Sequence, residues 1–160
     1  MKRQILFVFS LFVTLYCFSQ PYKLYQTENI HNQLKLDTRT GEVFQIQSDG
    51  QKFLINEGLT PDSKSGNRWS LHKTENLWTF ILLDEFSGKV YQIQFSIKGD
   101  EYRGIWVINP NSLSLSETNK FSIKPMVSMF QFYLLNGEDG EMWKFQWSTK
   151  GDEYRWIQKM

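Results

Sequence analysis

The hexapeptide Lys-Gly-Asp-Glu-Tyr-Arg occurs twice, at 98–103 and 150–155, and sets two adjacent carboxylates among cations each time. Glycoside hydrolysis uses two carboxyl groups flanking the scissile bond, one as acid and one as base or nucleophile. Asp100-Glu101 and Asp152-Glu153 are the residues that could do this, with Asp49 in a shorter related segment. The same spacing reads more simply as a polar hairpin turn, because Gly-Asp is a common turn element with solvated neighbours. Lys98, Arg103, Lys150 and Arg155 alternate with the acids, the pattern of a solvated face laced with ion pairs. Other chemistries lack their residues. His31 and His72 stand in no metal-ligand spacing. Glu138, Asp139 and Glu141 cluster without the spacing of a calcium loop. There is no Gly-x-Ser-x-Gly elbow, no phosphate-cradling Gly-rich loop, and a single cysteine, Cys17. No catalytic residue, metal or cofactor is expected.

Ring side chains offer a second kind of chemistry. A Trp or Tyr beside an amide can stack on a sugar ring and bond its hydroxyls. The six tryptophans are Trp69, Trp78, Trp106, Trp143, Trp147 and Trp156. Trp69 and Trp143 fall in sequence columns that stay aromatic three times over, which is the mark of core. Trp147 and Trp156 are less dictated by that pattern. With the thrice-repeated amides Gln47, Gln94 and Gln146 they are the candidate ligand contacts. The competing reading makes the rings core, with the glutamines bonding nearby backbone at a sheet end.

These residues sit in an internal repeat. Residues 22–47 align with 69–94 without a gap, and eleven of the 26 positions are identical, among them Thr27/Thr74, Asp37/Asp84, Gly41/Gly88 and Gln45/Gln92. Residues 69–105 align with 121–157 in the same way, with fourteen of 37 identical. Chance would give about one in fifteen. Three units follow: 22–55, 68–108 and 121–157. Within each, the pattern is that of strands. Trp78 to Leu83 is a short apolar run suited to burial on both faces. The next strand alternates, with Tyr91, Ile93 and Phe95 on one side and Val90, Gln92 and Gln94 on the other. Between them, Asp84 to Gly88, like Asp37 to Gly41 and Asn136 to Gly140, predicts a hairpin loop. Its first side chain accepts a backbone N–H, and its glycine takes φ > 0. First strands are predicted at Tyr22–Tyr25, Arg68–His72 and Phe121–Lys124, and last strands at Lys52–Ile55, Tyr102–Ile108 and Tyr154–Ile157. The segments Asn56 to Asn67 and Asn109 to Asn119 read as linkers.

The fold class is therefore all-β: three tandem four-stranded antiparallel units. Two architectures use such strands, an arc of propeller-like blades or a β-trefoil. Three blades do not close a ring, so the first predicts a homo-oligomer or covered ends. The motif favours blades. Leu82-Leu83-Asp84 with Gly88, Tyr91 and Gln94 recurs as Leu134-Leu135-Asn136 with Gly140, Trp143 and Gln146. The first copy has Lys35 in place of the leading Leu. This pattern resembles the strand pair of quinoprotein-type propellers. It is also similar to a group of small, exported, uncharacterised bacterial β-repeat proteins carrying Leu-Leu-Asp-x-x-x-Gly-x-x-Trp-x-x-Gln. The resemblance implies fold and export, and it transfers no catalytic residue.

The 160 residues, 41% hydrophobic and 22% charged, are globular in composition, and the net charge of +1 leaves no footprint for nucleic acid. Lys2 and Arg3, an apolar run from Ile5 to Phe18 and the small-x-small end Cys17-Phe18-Ser19 predict a signal peptide over 1–19. That run is too short for a membrane span. Acylation of Cys17 is the alternative, and bulky Tyr16 fits it poorly. Cleavage after Ser19 leaves a cysteine-free domain, 20–160, in the periplasm or outside the cell. The function expected is a non-catalytic binding module for a glycan or an envelope protein. The alternatives are a structural envelope protein without a small ligand and a carboxylate-dependent hydrolase.

Overall fold

A computed structural model describes residues 20–56, 59, 67–109, 111–113 and 120–160. The expected leader at 1–19, Cys17 included, and most of both linkers lie outside the described residues. The described chain is all-β. Sheet 1 comprises β1 (Tyr22–Gln26), β2 (Asn32–Asp37), β3 (Val43–Gln47) and β4 (Lys52–Leu54). Sheet 2 comprises β5 (Trp69–Lys73), β6 (Thr79–Asp84), β7 (Val90–Gln94) and β8 (Gly104–Asn109). Sheet 3 comprises β9 (Phe121–Pro125), β10 (Gln131–Asn136), β11 (Met142–Gln146) and β12 (Trp156–Lys159). Each sheet is an antiparallel meander in chain order, and none closes into a barrel, which decides against the trefoil. The last strands of sheets 2 and 3 begin two residues later than the sequence suggests. Asp100–Tyr102 and Asp152–Tyr154 wind into single 3-10 turns first.

The hairpins follow from their residues. Asp37, Asp84 and Asn136 each accept, on Oδ1, the N–H two residues on, from Arg39, Phe86 and Glu138. Gly41, Gly88 and Gly140 close the loops at φ +76°, +72° and +78°, where a Cβ would be strained. In sheets 1 and 2 the aspartate also holds an arginine, and Arg39 binds Asp37 through Nε at 3.1 Å and Nη2 at 2.8 Å. Arg68 grips Asp84 with two parallel bonds, Nε to Oδ1 at 2.8 Å and Nη2 to Oδ2 at 2.6 Å, and the pair is buried.

Sheet 2 lies between the other two, so β6 is buried at all six positions. In β10, where one face alone is covered, burial alternates. One core joins Leu34, Leu36 and Val43 of sheet 1 to Trp69, Leu71, Phe80, Leu82, Tyr91 and Ile93 of sheet 2. A second joins Ile81, Leu83 and Val90 to Phe121, Ile123, Leu134, Trp143 and Phe145 of sheet 3. The odd and even residues of one strand thus serve two different cores, as a period of two requires. Backbone bonds continue the stacking: Thr38 O accepts from Arg68 N and Trp69 N, and Glu85 O from Lys120 N and Phe121 N.

Candidate functional site

After β7 the chain runs through Phe95 to Lys98 and turns back at Asp100–Tyr102 into β8. The turn leaves an open pocket of about 210 Å³ lined by Trp78, Gln94, Phe95, Ser96, Ile97, Lys98 and Tyr102. A repeat later, a pocket of about 140 Å³ is lined by Phe130, Gln146, Trp147, Ser148, Thr149, Lys150 and Tyr154. The two linings correspond position by position. Each floor is a tilted ring pair, Trp78 on Phe95 at 5.2 Å and Phe130 on Trp147 at 5.1 Å. Each wall is pinned by an amide: Gln94 Nε2 donates to Tyr102 O and Gln146 Nε2 to Tyr154 O, both at 3.0 Å. The tyrosine rings are 48% and 46% exposed. Ser96 and Ser148 hydroxyls accept the backbone N–H groups of Lys98 and Lys150, which also line the pockets. Such a recess offers an apolar floor, a phenol and an ammonium, suited to a neutral or anionic polyhydroxylated molecule.

The expected contacts divide between these pockets and elsewhere. Gln146 and Trp147 come together in one pocket, and Gln94 lines its counterpart. Trp147 is fully buried and donates from Nε1 to Met129 O, so it supplies floor rather than an exposed platform. Gln47 occupies the equivalent place in sheet 1. There the tight turn, Gly50 N to Gln47 O, has no residue to match Tyr102. Trp156 stands apart on β12, half-buried, with Lys144 Nζ 5.6 Å from its ring. Tyr102, Tyr154, Trp78 and Phe130 were not singled out from the sequence. The repeated hexapeptide was the signal for the two tyrosines, since they are its fifth residue.

The hexapeptide's charged residues have other work. Arg103 and Arg155 are not on a solvated face. Their side chains are 9% and 6% exposed and reach into the preceding sheet. Arg103 Nε donates to Gln45 Oε1 at 2.7 Å and Nη2 to Ser96 O at 3.0 Å. Arg155 does the same with Gln92 Oε1 and Ser148 O, both at 2.9 Å. Gln45 and Gln92, fully buried, thus join consecutive sheets. Asp100 and Asp152 pair with these arginines through Nη1. Glu101 and Glu153 fold back over Gly99 and Gly151, where a Cβ would meet their carboxylates. Both acids of each pair shape the turn.

His72 lies half-buried on β5, beside Ser70. Burial, then the positive charge of Lys124, lowers its pKa to about 4, and Ser70 Oγ lies 3.0 Å from its Nε2. The histidine is therefore neutral at physiological pH and structural in setting. Among the described residues no three His, Cys, Asp or Glu side chains converge to hold a metal, and no helix is long and apolar enough to cross a membrane.

No protein-family model and no curated protein matches the chain. Among solved structures it is similar to one titled "Kluyveromyces lactis Hsv2 complete loop 6CD", with TM-score 0.51 and 12% sequence identity. The match covers 89% of this chain and 47% of that one, so the chain spans about half the length of this neighbour. At that identity the likeness is one of fold alone.

Proposed function

We propose that this protein is an exported, non-catalytic module that binds a glycan through the two equivalent pockets of sheets 2 and 3. The observation that carries the reading is the recurrence of one pocket chemistry, ring floor, pinned tyrosine and lining lysine, at the same place in consecutive sheets. Two like sites a fixed distance apart suit a ligand that itself repeats, and linked sites gain avidity when the ligand spans both. The acids that a hydrolase would need are committed to the turns, which supports binding without turnover.

Binding by soluble oligosaccharides of increasing length, followed calorimetrically, tests this. Tyr102→Ala and Tyr154→Ala should each weaken a long ligand by more than they weaken a monosaccharide, and together they should abolish binding. The exposed tyrosines can be removed without disturbing the core, so unaltered affinity in the double variant would sink the proposal. Export is tested separately. The protein recovered from its exporting host should begin at Gln20 by intact mass; retention of residues 1–19 would refute it.

A further inference from the structure

Among the described residues, each of the two sheet–sheet contacts is built from the same columns of the repeat, and both halves of a third such contact are present without meeting. The ring-bearing face of sheet 2 (Trp69, Tyr91) is buried on sheet 1, and that of sheet 3 (Phe121, Trp143) on sheet 2. The same face of sheet 1 is open: Tyr22 is 45% and Leu24 65% exposed. At the far end, the columns that are fully buried as Leu34 and Leu36 in sheet 1 and as Ile81 and Leu83 in sheet 2 become the half-buried Tyr133 and Leu135.

The hairpin glycines show the same thing independently. A Cβ on Gly41 would lie 2.7 Å from the ring of Trp69, and one on Gly88 3.0 Å from the ring of Phe121. Each glycine is the seat for the first ring of the next sheet. Gly140 has the same φ and nothing within 4 Å of that position. The remaining ring of the same column is the exposed Tyr22, which meets Lys35 and Arg39 of its own sheet but no glycine seat.

Charge follows suit. Inside the chain, Gln45 accepts from Ser96 N and Gln92 from Ser148 N across the sheet contacts. At the two ends these columns carry Lys144 in place of the glutamine and Asp49 in place of the serine. Sheet 1 lacks the hexapeptide whose arginine grips the glutamine, and the lost cation reappears on the opposite side as Lys144. The open hairpin of sheet 3 is acidic, with Glu138, Asp139 and Glu141 exposed, while sheet 1 presents Lys23, Lys35 and Lys52.

We infer that a second copy of this chain makes the third contact, the first sheet of each copy seated on the third sheet of the other, with Tyr22 over the partner's Gly140 and Asp49 facing the partner's Lys144. Two copies supply six sheets, within the range of about four to eight blades at which propellers close. A head-to-tail contact closes a ring or grows a filament, and the sheet count selects the ring. Lys35 stands where Leu82 and Leu134 are buried in the other sheets, so this contact is weaker than the internal ones and weakens further in salt.

Sedimentation and light scattering of the purified full chain, with the N-terminus its host leaves, test the proposal. A mass of two chains, falling towards one on dilution or in high salt, is expected. Leu24→Glu, at an exposed site, should give a monomer with an unchanged circular dichroism spectrum. Asp49→Lys and Lys144→Asp should each weaken the dimer by about tenfold or more, and the double reversal should restore it. A monomer at every concentration would overturn the inference. So would a dimer indifferent to Leu24→Glu and to the reversals, or an open series of larger masses.

Discussion

Single side chains divide here between those with a full set of partners and those without. Gln45 and Gln92 hold the same column and each is gripped by an arginine of the next sheet, Arg103 and Arg155, but only Gln45 has both donors placed: its Nε2 reaches Asn32 Oδ1 at 2.6 Å and Ser96 O at 2.9 Å. Gln92 Nε2 is buried without a partner: Thr79 stands where sheet 1 has Asn32, and the counterpart of the bond to Ser96 O is not made. An orphaned buried amide costs about 1–3 kcal/mol. Thr79→Asn supplies the missing acceptor, and the new Nδ2 can keep the bond that Thr79 Oγ1 makes to Asn76 Oδ1. The variant should be stabler by about 1 kcal/mol and melt roughly 3 °C higher. His72 gives a prediction in pH. Its folded pKa, about 4, lies below the ordinary value of 6.5. Between those values the unfolded chain holds a proton that the folded chain does not, so stability is full above pH 6.5 and falls as the pH drops towards 4. The loss attributable to His72 reaches about 3 kcal/mol. His72→Gln should flatten that part of the melting-temperature profile relative to the parent; parallel profiles would remove the histidine from the account.

At the scale of the hairpin, the same loop carries different energies in different sheets. Asp37 and Asp84 open equivalent loops and each pairs with an arginine. Arg39 is 41% exposed, whereas Arg68 is 9% and Asp84 1%. Breaking a buried pair costs about 3–5 kcal/mol, while an exposed pair contributes about 0–1 kcal/mol. Chemical denaturation should therefore show a large loss in Asp84→Asn and a smaller one, about 1–2 kcal/mol, in Asp37→Asn, where the carboxylate is 5% exposed but its arginine is 41% exposed. The glycines divide the same way. Gly88→Val adds a β-branched side chain at φ +72° with its Cβ against the Phe121 ring. Gly50, at φ +88°, has open space around it. Gly50→Ala should cost only backbone strain, about 1 kcal/mol, and Gly88→Val several times that.

Among the described residues the sheets are joined by two apolar cores, by an arginine grip at each junction, and by the backbone and glutamine bonds beside it. Removing Arg155 takes its bond to Gln92 from the sheet 2–sheet 3 junction, loosens the Ser148 turn it also holds, and leaves Gln92 with less satisfaction than it has now. Arg155→Ala should lose about 2–3 kcal/mol and raise amide exchange in sheet 3 more than in sheet 1. Uniform acceleration in all three sheets would mean that the chain opens only as one unit.

The sequence by itself determined the unit and its number. Period-two strands, the Asp or Asn to Gly loop and the double alignment describe a four-stranded meander three times over, because strand pairing and turn geometry are local and each local choice is written in neighbouring residues. Even the two-sided burial of β6 is legible in the unbroken apolar run that ends at Leu83. Only the tertiary structure decided which face of each strand meets which neighbour, since that depends on residues about fifty positions away. Gln92 and Gln94 are two apart, yet one lies buried in a sheet junction and the other lines a pocket. Arg103 and Arg155 read as surface ion pairs because their acids are adjacent in sequence, but the glutamines that bury them belong to the preceding sheet. Trp147 looked free of the repeat because its counterpart in the first unit is Ser48, and the stacking makes it core beside Phe130. What a residue bonds along its own strand is set by the sequence; what it bonds across a sheet junction is set by how the sheets stack.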